Sequence, residues 1–351
     1  MSELKASLEQ RIAEGEVIAK AGFVGAELAY AKLGGAIFES TSFHGADLRG
    51  ASFQESTLSK CDLSGARLRD GSLRHALLHE CTLEGTDLTG VDLTGTKLLN
   101  CTIVDVEAVE AVLRVAAING CTFRRVRFDR AQLDRTPFAD CHFDEVSFMQ
   151  TRFDRVVVYR SDLTRATFEG CAFHNAIFNE SDLSGRTFAG VDFTLGQLTK
   201  CNLQGVDFSG ATLTKCNFHG ADLTGAKLPR ARADNAIFLE AKLHRTNLDE
   251  AMLFQALFVG ADIEQASLRR ADLRQSQFQD ARCLGASFDS ADLTYADFSR
   301  ADLSQSNFSG ATLFRTRFHR TLEQGTTFTH RTLALGDDED LAEAETWTPG
   351  S

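Results

Sequence analysis

The sequence predicts an all-β solenoid, a chain that turns a corner every five residues, and three observations predict it. Every fifth residue, from Phe23 through Leu28, Leu33, Phe38 and Phe43 to Phe318, is Leu, Phe, Ile or Val, with only Ala108, Ala233 and Cys283 as exceptions. The residue two before each of these is Ala, Cys, Ser, Thr, Val or Gly from Ala21 to Thr316, except Arg186. No insertion or deletion shifts this frame. An amphipathic helix would need apolar spacings of three and four, and an isolated strand would alternate briefly and then turn. A period of five satisfies neither.

Within each repeat the small and the large residue are two apart, so both point inward while the residue between them points out. The outward residue is often acidic, as in Ala46-Asp47-Leu48, Ala221-Asp222-Leu223 and Ala291-Asp292-Leu293. Glycine recurs two after the large residue, at Gly45, Gly65, Gly85, Gly205 and Gly225, where a corner asks for backbone angles that side chains resist. The length of one coil follows from two ladders. Cys61, Cys81, Cys101, Cys121 and Cys141 are spaced by 20, and Cys201 falls on the same count, with Ser161 and Ser181 filling the gap. Phe218, Phe238, Phe258, Phe278, Phe298 and Phe318 also recur every 20 residues. Identical side chains stack well in parallel, in-register strands, so residue n is expected to lie over residue n+20.

These A(D/N)LxX repeats resemble the pentapeptide-repeat family over residues 21–320. The resemblance implies a right-handed quadrilateral parallel β-helix with four repeats per coil. That gives about 15 coils, or roughly 70 Å at ~4.8 Å per coil. Each coil of a solenoid touches only its neighbours, so the ends need caps. Residues 1–20 are expected to hold a short N-terminal capping helix over 2–14, with Ser2 as N-cap, Leu4, Leu8 and Ile12 on one face and Gly15 as the stop. Residues 321–336 are expected to close the last coil, and 337–351 to form an acidic mobile tail.

The remaining chemistry argues against an enzyme. Eight of the nine cysteines sit at the small inward position and Cys283 at the large one, where cysteine serves as a small hydrophobe. No C-x-x-C spacing offers a zinc site, so no metal or cofactor is expected. The nine histidines are scattered, and neither a nucleophile elbow nor a phosphate-binding loop is present. An unbroken solenoid also offers little of the concavity that catalysis needs. The N-terminus lacks a secretory pattern and no run is long enough to span a membrane, so the chain reads as cytoplasmic with reduced thiols. A net charge of −12 disfavours direct nucleic-acid binding.

What the outward positions offer is a surface. Ile237 and Leu257 are expected to stack on one face with Leu239 and Val259 beside them, and Met252 and Phe254 on the neighbouring face; Val157, Tyr159 and Ile177 lie further along the first. Apolar residues at normally polar positions mark a contact site for another protein, or for a second copy in a homodimer. A second anomaly, Val106–Ile118, puts Val109, Val112 and Val115 outward and has local helical character. Arg124, Arg125, Arg127 and Arg130 form a basic cluster that Asp129, Asp134, Asp140 and Asp144 nearly balance. The expected function is therefore a non-catalytic scaffold or adaptor. The family resemblance adds two associations: accessory proteins of bacterial secretion loci, and mimicry of DNA toward type II topoisomerases. Mimicry fits the charge poorly, because residues 337–345 alone hold six acids and no bases.

Overall fold

The computed structural model describes residues 3–346. The chain is a parallel β-solenoid of about 16 turns with two short helices. It divides into two compact units, Met1–Asp182 and Leu183–Ser351, each described here by itself. Ser2 and residues 347–351 of the expected tail lie outside the described residues.

The first unit opens with helix α1, Glu3–Ala13. Gly15 ends it at φ +76, its N–H bonding to the Ile12 carbonyl at 2.9 Å. Its buried face is narrower than the sequence suggests: Leu8 is buried, whereas Leu4 is 46% exposed. Polar groups do the rest of the docking. Glu9 accepts the Lys32 N–H at 2.8 Å, and Lys5 donates to the Ala29 carbonyl at 2.7 Å. Helix side chains thus satisfy backbone groups of the first coil that have no preceding coil to pair with.

Beyond α1 the register is n to n+20, except at the last pairing, Arg317 with Leu335. One face of the first unit is a parallel ladder of eight three-residue strands, from Val17–Ala19 to Val157–Tyr159, with Ile18 opposite Phe38 and Phe138 opposite Val158. The adjacent face carries a second ladder of four, from Thr82–Glu84 to His142–Asp144. The second unit keeps the register through single bridges such as Ile237 to Leu257 and Met252 to Asp272. Val106–Ile118 follows the same path, with no helix. Val106, Ala108 and Leu113 are buried and Val115 is exposed.

Many corners close with a bond of the type Ala26 N–H to Phe23 carbonyl, 3.1 Å, and the residue before the next small position is left-handed at nearly all of them. Glycine is required at Gly50, where an added Cβ would lie 2.5 Å from the Tyr30 ring. It is not required everywhere: Val115 at φ 58, Leu195 at φ 65 and Tyr295 at φ 61 take the same conformation. Coil stacking over-determines that strain.

The core is the set of inward columns. In the second unit Phe218, Phe238, Phe258, Phe278 and Phe298 stack at 4.5–4.9 Å with planes within 4°, and Phe298 to Phe318 opens to 5.6 Å. In the first, Cys61, Cys81, Cys101, Cys121 and Cys141 are all buried and free. Each directs its thiol at a carbonyl of the coil before, as Cys81 Sγ does at the Leu58 oxygen, 3.3 Å away.

Leu335 pairs with Arg317, two residues short of the regular spacing, donating to the Thr316 carbonyl and accepting from the Phe318 N–H, both at 2.8 Å. The segment expected to be mobile then forms helix α2, Glu339–Thr346. Glu345 pairs with Arg300 and Arg320, each at 2.8 Å, and Arg320 Nη2 donates to the Ala342 carbonyl at 3.0 Å. His319 is fully buried beneath this helix, between the Asp338 N–H at 3.1 Å and Glu345 at 3.4 Å.

Candidate docking surface

The outward carboxylates of the repeat are structural. Asp62, Asp87, Asp162 and Asp302 each accept the N–H of the residue two ahead, at 2.9–3.0 Å. This local bond holds the strand exit into the corner. Asp47 is buried, and the Arg49 guanidinium at 2.6 Å holds its carboxyl below the usual carboxylate range. Three arginines of the basic cluster form ion pairs, mostly between coils. Arg125 reaches Asp105, Arg127 reaches Glu107 and Asp129, and Arg130 reaches Glu110. Asp134, Asp140 and Asp144, expected to balance that cluster, instead meet Arg155, Arg160 and Arg165 of the following coil.

The nine thiols are free and buried. Burial pushes Cys141 up to about 11, and Cys171 and Cys216 up to about 12, so these three stay protonated at neutral pH. One group of ligating side chains is recorded among the described residues: His244, Asp262 and Glu264, with donor atoms within 4.8 Å of one another. His244 bonds Asp262 at 2.7 Å, and Arg282 supplies a cation at 2.9 Å from Glu264 and 3.7 Å from Asp262. A divalent ion would have to displace that guanidinium.

The apolar outward residues fall into three groups. In the second unit Ile237 and Leu257 are in register, with Leu239 and Val259 two residues on; all four are half-buried against one another and the backbone. Their carbonyls join the ladder, Leu257 accepting the Phe238 N–H at 2.7 Å and Val259 the Glu240 N–H at 3.1 Å. On the neighbouring face Met252 is 42% exposed, while Phe254 lies under the Arg274 guanidinium, 5.7 Å from its ring. Val157 and Tyr159 belong to the first unit. There Val157 sits between Pro137 and Ile177, and Arg160 covers the Tyr159 ring at 4.6 Å. The uncovered apolar set is thus Ile237, Leu239, Leu257 and Val259, with Met252 on the adjacent face.

The sequence did not reveal the groove that adjoins this set. A depression of about 520 Å³ runs from Leu257 toward the C-terminal coils, with Gln277 and Asp297 lining it, Gln255, Gln275 and Tyr295 along one corner, and Leu335 closing the far end. Gln255 and Gln275 bond along the corner at 2.8 Å, and Tyr295 packs edge-on against Phe314 at 5.6 Å. The outward Tyr295 and Phe314 were the available signal; the wall made by Leu335 was not visible.

A solenoid with its inward columns packed, carboxylates tied into corners and ion pairs, and outward positions that vary from coil to coil defines a repeat protein. The family models agree. The model described as "Pentapeptide repeat region" matches residues 31–107 and 161–238, and that described as "Pentapeptide repeats (8 copies)" matches 256–294 and 281–320. The chain belongs to the pentapeptide-repeat family. Among solved structures it is similar to HetL, a pentapeptide repeat protein involved in heterocyst differentiation regulation from the cyanobacterium Nostoc sp. The identity is 20%, over 70% of this chain and 87% of that one, with a TM-score of 0.25. It is also similar to QnrB1, a plasmid-mediated fluoroquinolone resistance protein, at 17% identity over 77% and 97%, TM-score 0.31. A third is Rfr23 from the cyanobacterium Cyanothece 51142, at 17% over 46% and 91%, TM-score 0.22. Scores of that size carry nothing about activity. No curated protein matches the chain. No helix among the described residues is long and apolar enough to cross a membrane.

Proposed function

We propose that this protein is a non-catalytic scaffold that docks another protein on the face of its second unit carrying Ile237, Leu239, Leu257 and Val259. The observation that carries the reading is their placement: four aliphatic residues in two consecutive coils of the second unit occupy outward positions that Asn217 and His219 fill in the coil before and Gln277 and Gln279 in the coil after, and no described element covers them. A contiguous, partly exposed apolar patch of this kind marks a contact site. The free, buried thiols support a reducing compartment.

Leu239→Asp combined with Leu257→Asp tests the site. Both side chains point outward, so the fold is expected to persist, checked by circular dichroism. Tagged wild type and variant are compared for the proteins they retain, and both are sized by light scattering. Loss of one retained species from the variant is the expected result. An identical retained set would reject the site, and a wild-type dimer that the variant dissociates would assign the surface to self-association instead.

A further inference from the structure

We propose that Arg300, Arg320 and His319 form a carboxylate clamp that takes an acidic helical segment of a partner protein, and that α2 occupies this clamp in cis. The clamp is a second interaction site, apart from the four aliphatic residues of the docking face, and it stands on its own contacts.

Three donors converge on one carboxylate. Asp280 fixes the Arg300 guanidinium, accepting from Nε at 2.7 Å and from Nη2 at 2.8 Å, which leaves Nη1 for Glu345, 2.8 Å away. Arg320, one coil on, gives Nη1 to the same carboxylate at 2.8 Å. The fully buried His319 ring brings Nε2 to 3.4 Å from Glu345 Oε2. Its Nδ1 accepts the Asp338 N–H at 3.1 Å, so the proton of the neutral ring sits on Nε2 and faces the carboxylate. The clamp reads more than charge. Arg320 Nη2 donates to the Ala342 carbonyl at 3.0 Å, and the Arg320 N–H donates to Asp337 at 2.7 Å. The pattern recognised is a helix with an acidic entry and a carboxylate three residues beyond the carbonyl that Arg320 holds. A guanidinium already set by Asp280 supplies part of that site in advance.

The helix that fills the clamp is held loosely. None of the residues of α2 is buried, so no apolar anchor secures it. Ion pairs and hydrogen bonds hold it instead, and at an exposed surface each contributes little and weakens with salt. The last coil does not need α2 to close its edge, because Leu335 already bonds the Thr316 carbonyl and the Phe318 N–H before the helix begins. What release of α2 costs falls on the clamp: Arg320 loses Glu345, and the buried His319 ring loses both Asp338 and Glu345. Polar groups placed that deep call for a replacement partner. An acidic helix from another protein, with a carboxylate placed as Glu345 is, supplies it.

The sequence of α2 supplies the probe. A fluorescein-labelled peptide of residues 337–346, Asp-Asp-Glu-Asp-Leu-Ala-Glu-Ala-Glu-Thr, is titrated at low salt with the full chain and with full-chain Glu345→Gln, and binding is read by fluorescence anisotropy. Glu345→Gln removes the tethered carboxylate, so it is expected to bind the peptide about tenfold more tightly than wild type, which keeps a competitor at high effective concentration. A second peptide with Gln in place of its own Glu345 is expected to bind that variant about tenfold more weakly than the first, having lost the charge-assisted bonds. Equal affinity of the two chains, equal affinity of the two peptides, or no binding to the variant would each overturn the proposal. Should Glu345→Gln not fold, the two peptides are compared on wild type, where the same preference is expected and its absence rejects the clamp. A wild-type dimer that Glu345→Gln dissociates, seen by light scattering, would give the clamp to a second copy of this chain and overturn the partner. Leu239 and Leu257 are untouched in every arm, so the capture experiment above and this one succeed or fail separately.

Discussion

Ala108 stands where the repeat calls for Leu or Phe, between Leu88 and Phe128 of the neighbouring coils. The structure leaves a void of about 20 Å³ there, lined only by aliphatic and Phe side chains. Ala108→Leu should fill it and raise stability by about 1 kcal/mol, the usual yield of cavity filling. The denaturant midpoint checks this, because overpacking a space that is not there would lower it by ~1–3 kcal/mol. The anomaly was legible in the sequence, but whether neighbours had collapsed into it was not. The outward Asp residues show the same limit. Alternation placed them correctly on the surface as solvated carboxylates. Their bond to the N–H two residues ahead depends on a corner geometry that a period of five implies only once the backbone is built.

At the scale of elements, α1 was readable from Gly15 and its apolar spacing, yet most of its docking is polar. Glu9 and Lys5 act as a substitute coil for Lys32 and Ala29, and nothing in a helical pattern signals a side chain that serves a neighbouring strand. A chain lacking residues 1–14 should therefore expose an unpaired edge at the first coil, including the strand Val17–Ala19. Open edges recruit other edges. Association that grows with concentration, seen by size exclusion with light scattering, is the expected outcome; a monomer of unchanged melting temperature would show that α1 is dispensable. Helix α2 was hidden for a related reason. Its six acids with residues 337 and 338 read as a solvated run, because the bases that hold Glu345 come from coils distant in sequence. The groove closed by Leu335 was hidden with it.

For the molecule as a whole, the five-residue period and the recurrence every 20 carried the core, since inward positions must satisfy packing and the sequence records that constraint coil by coil. Outward positions satisfy no such rule, so the ladder of partners along a face emerges only from register. That register bears on DNA mimicry. A mimic must present unpaired carboxylates along its length, as duplex DNA presents phosphates to a basic groove. Here Arg125, Arg130, Arg160 and Arg300 each neutralise a carboxylate of the coil before, and Asp62, Asp87, Asp162 and Asp302 are tied to corner amides. Much of the −12 belongs instead to the acids of residues 337–345, where Glu345 is already bound. Purified protein in large molar excess should therefore leave supercoiling by DNA gyrase unchanged and give no protection against a quinolone. Inhibition that titrates with the protein, and that survives neutralisation of the acids in 337–345, would show that the paired carboxylates open toward a polyanion site, and the scaffold reading would give way to mimicry.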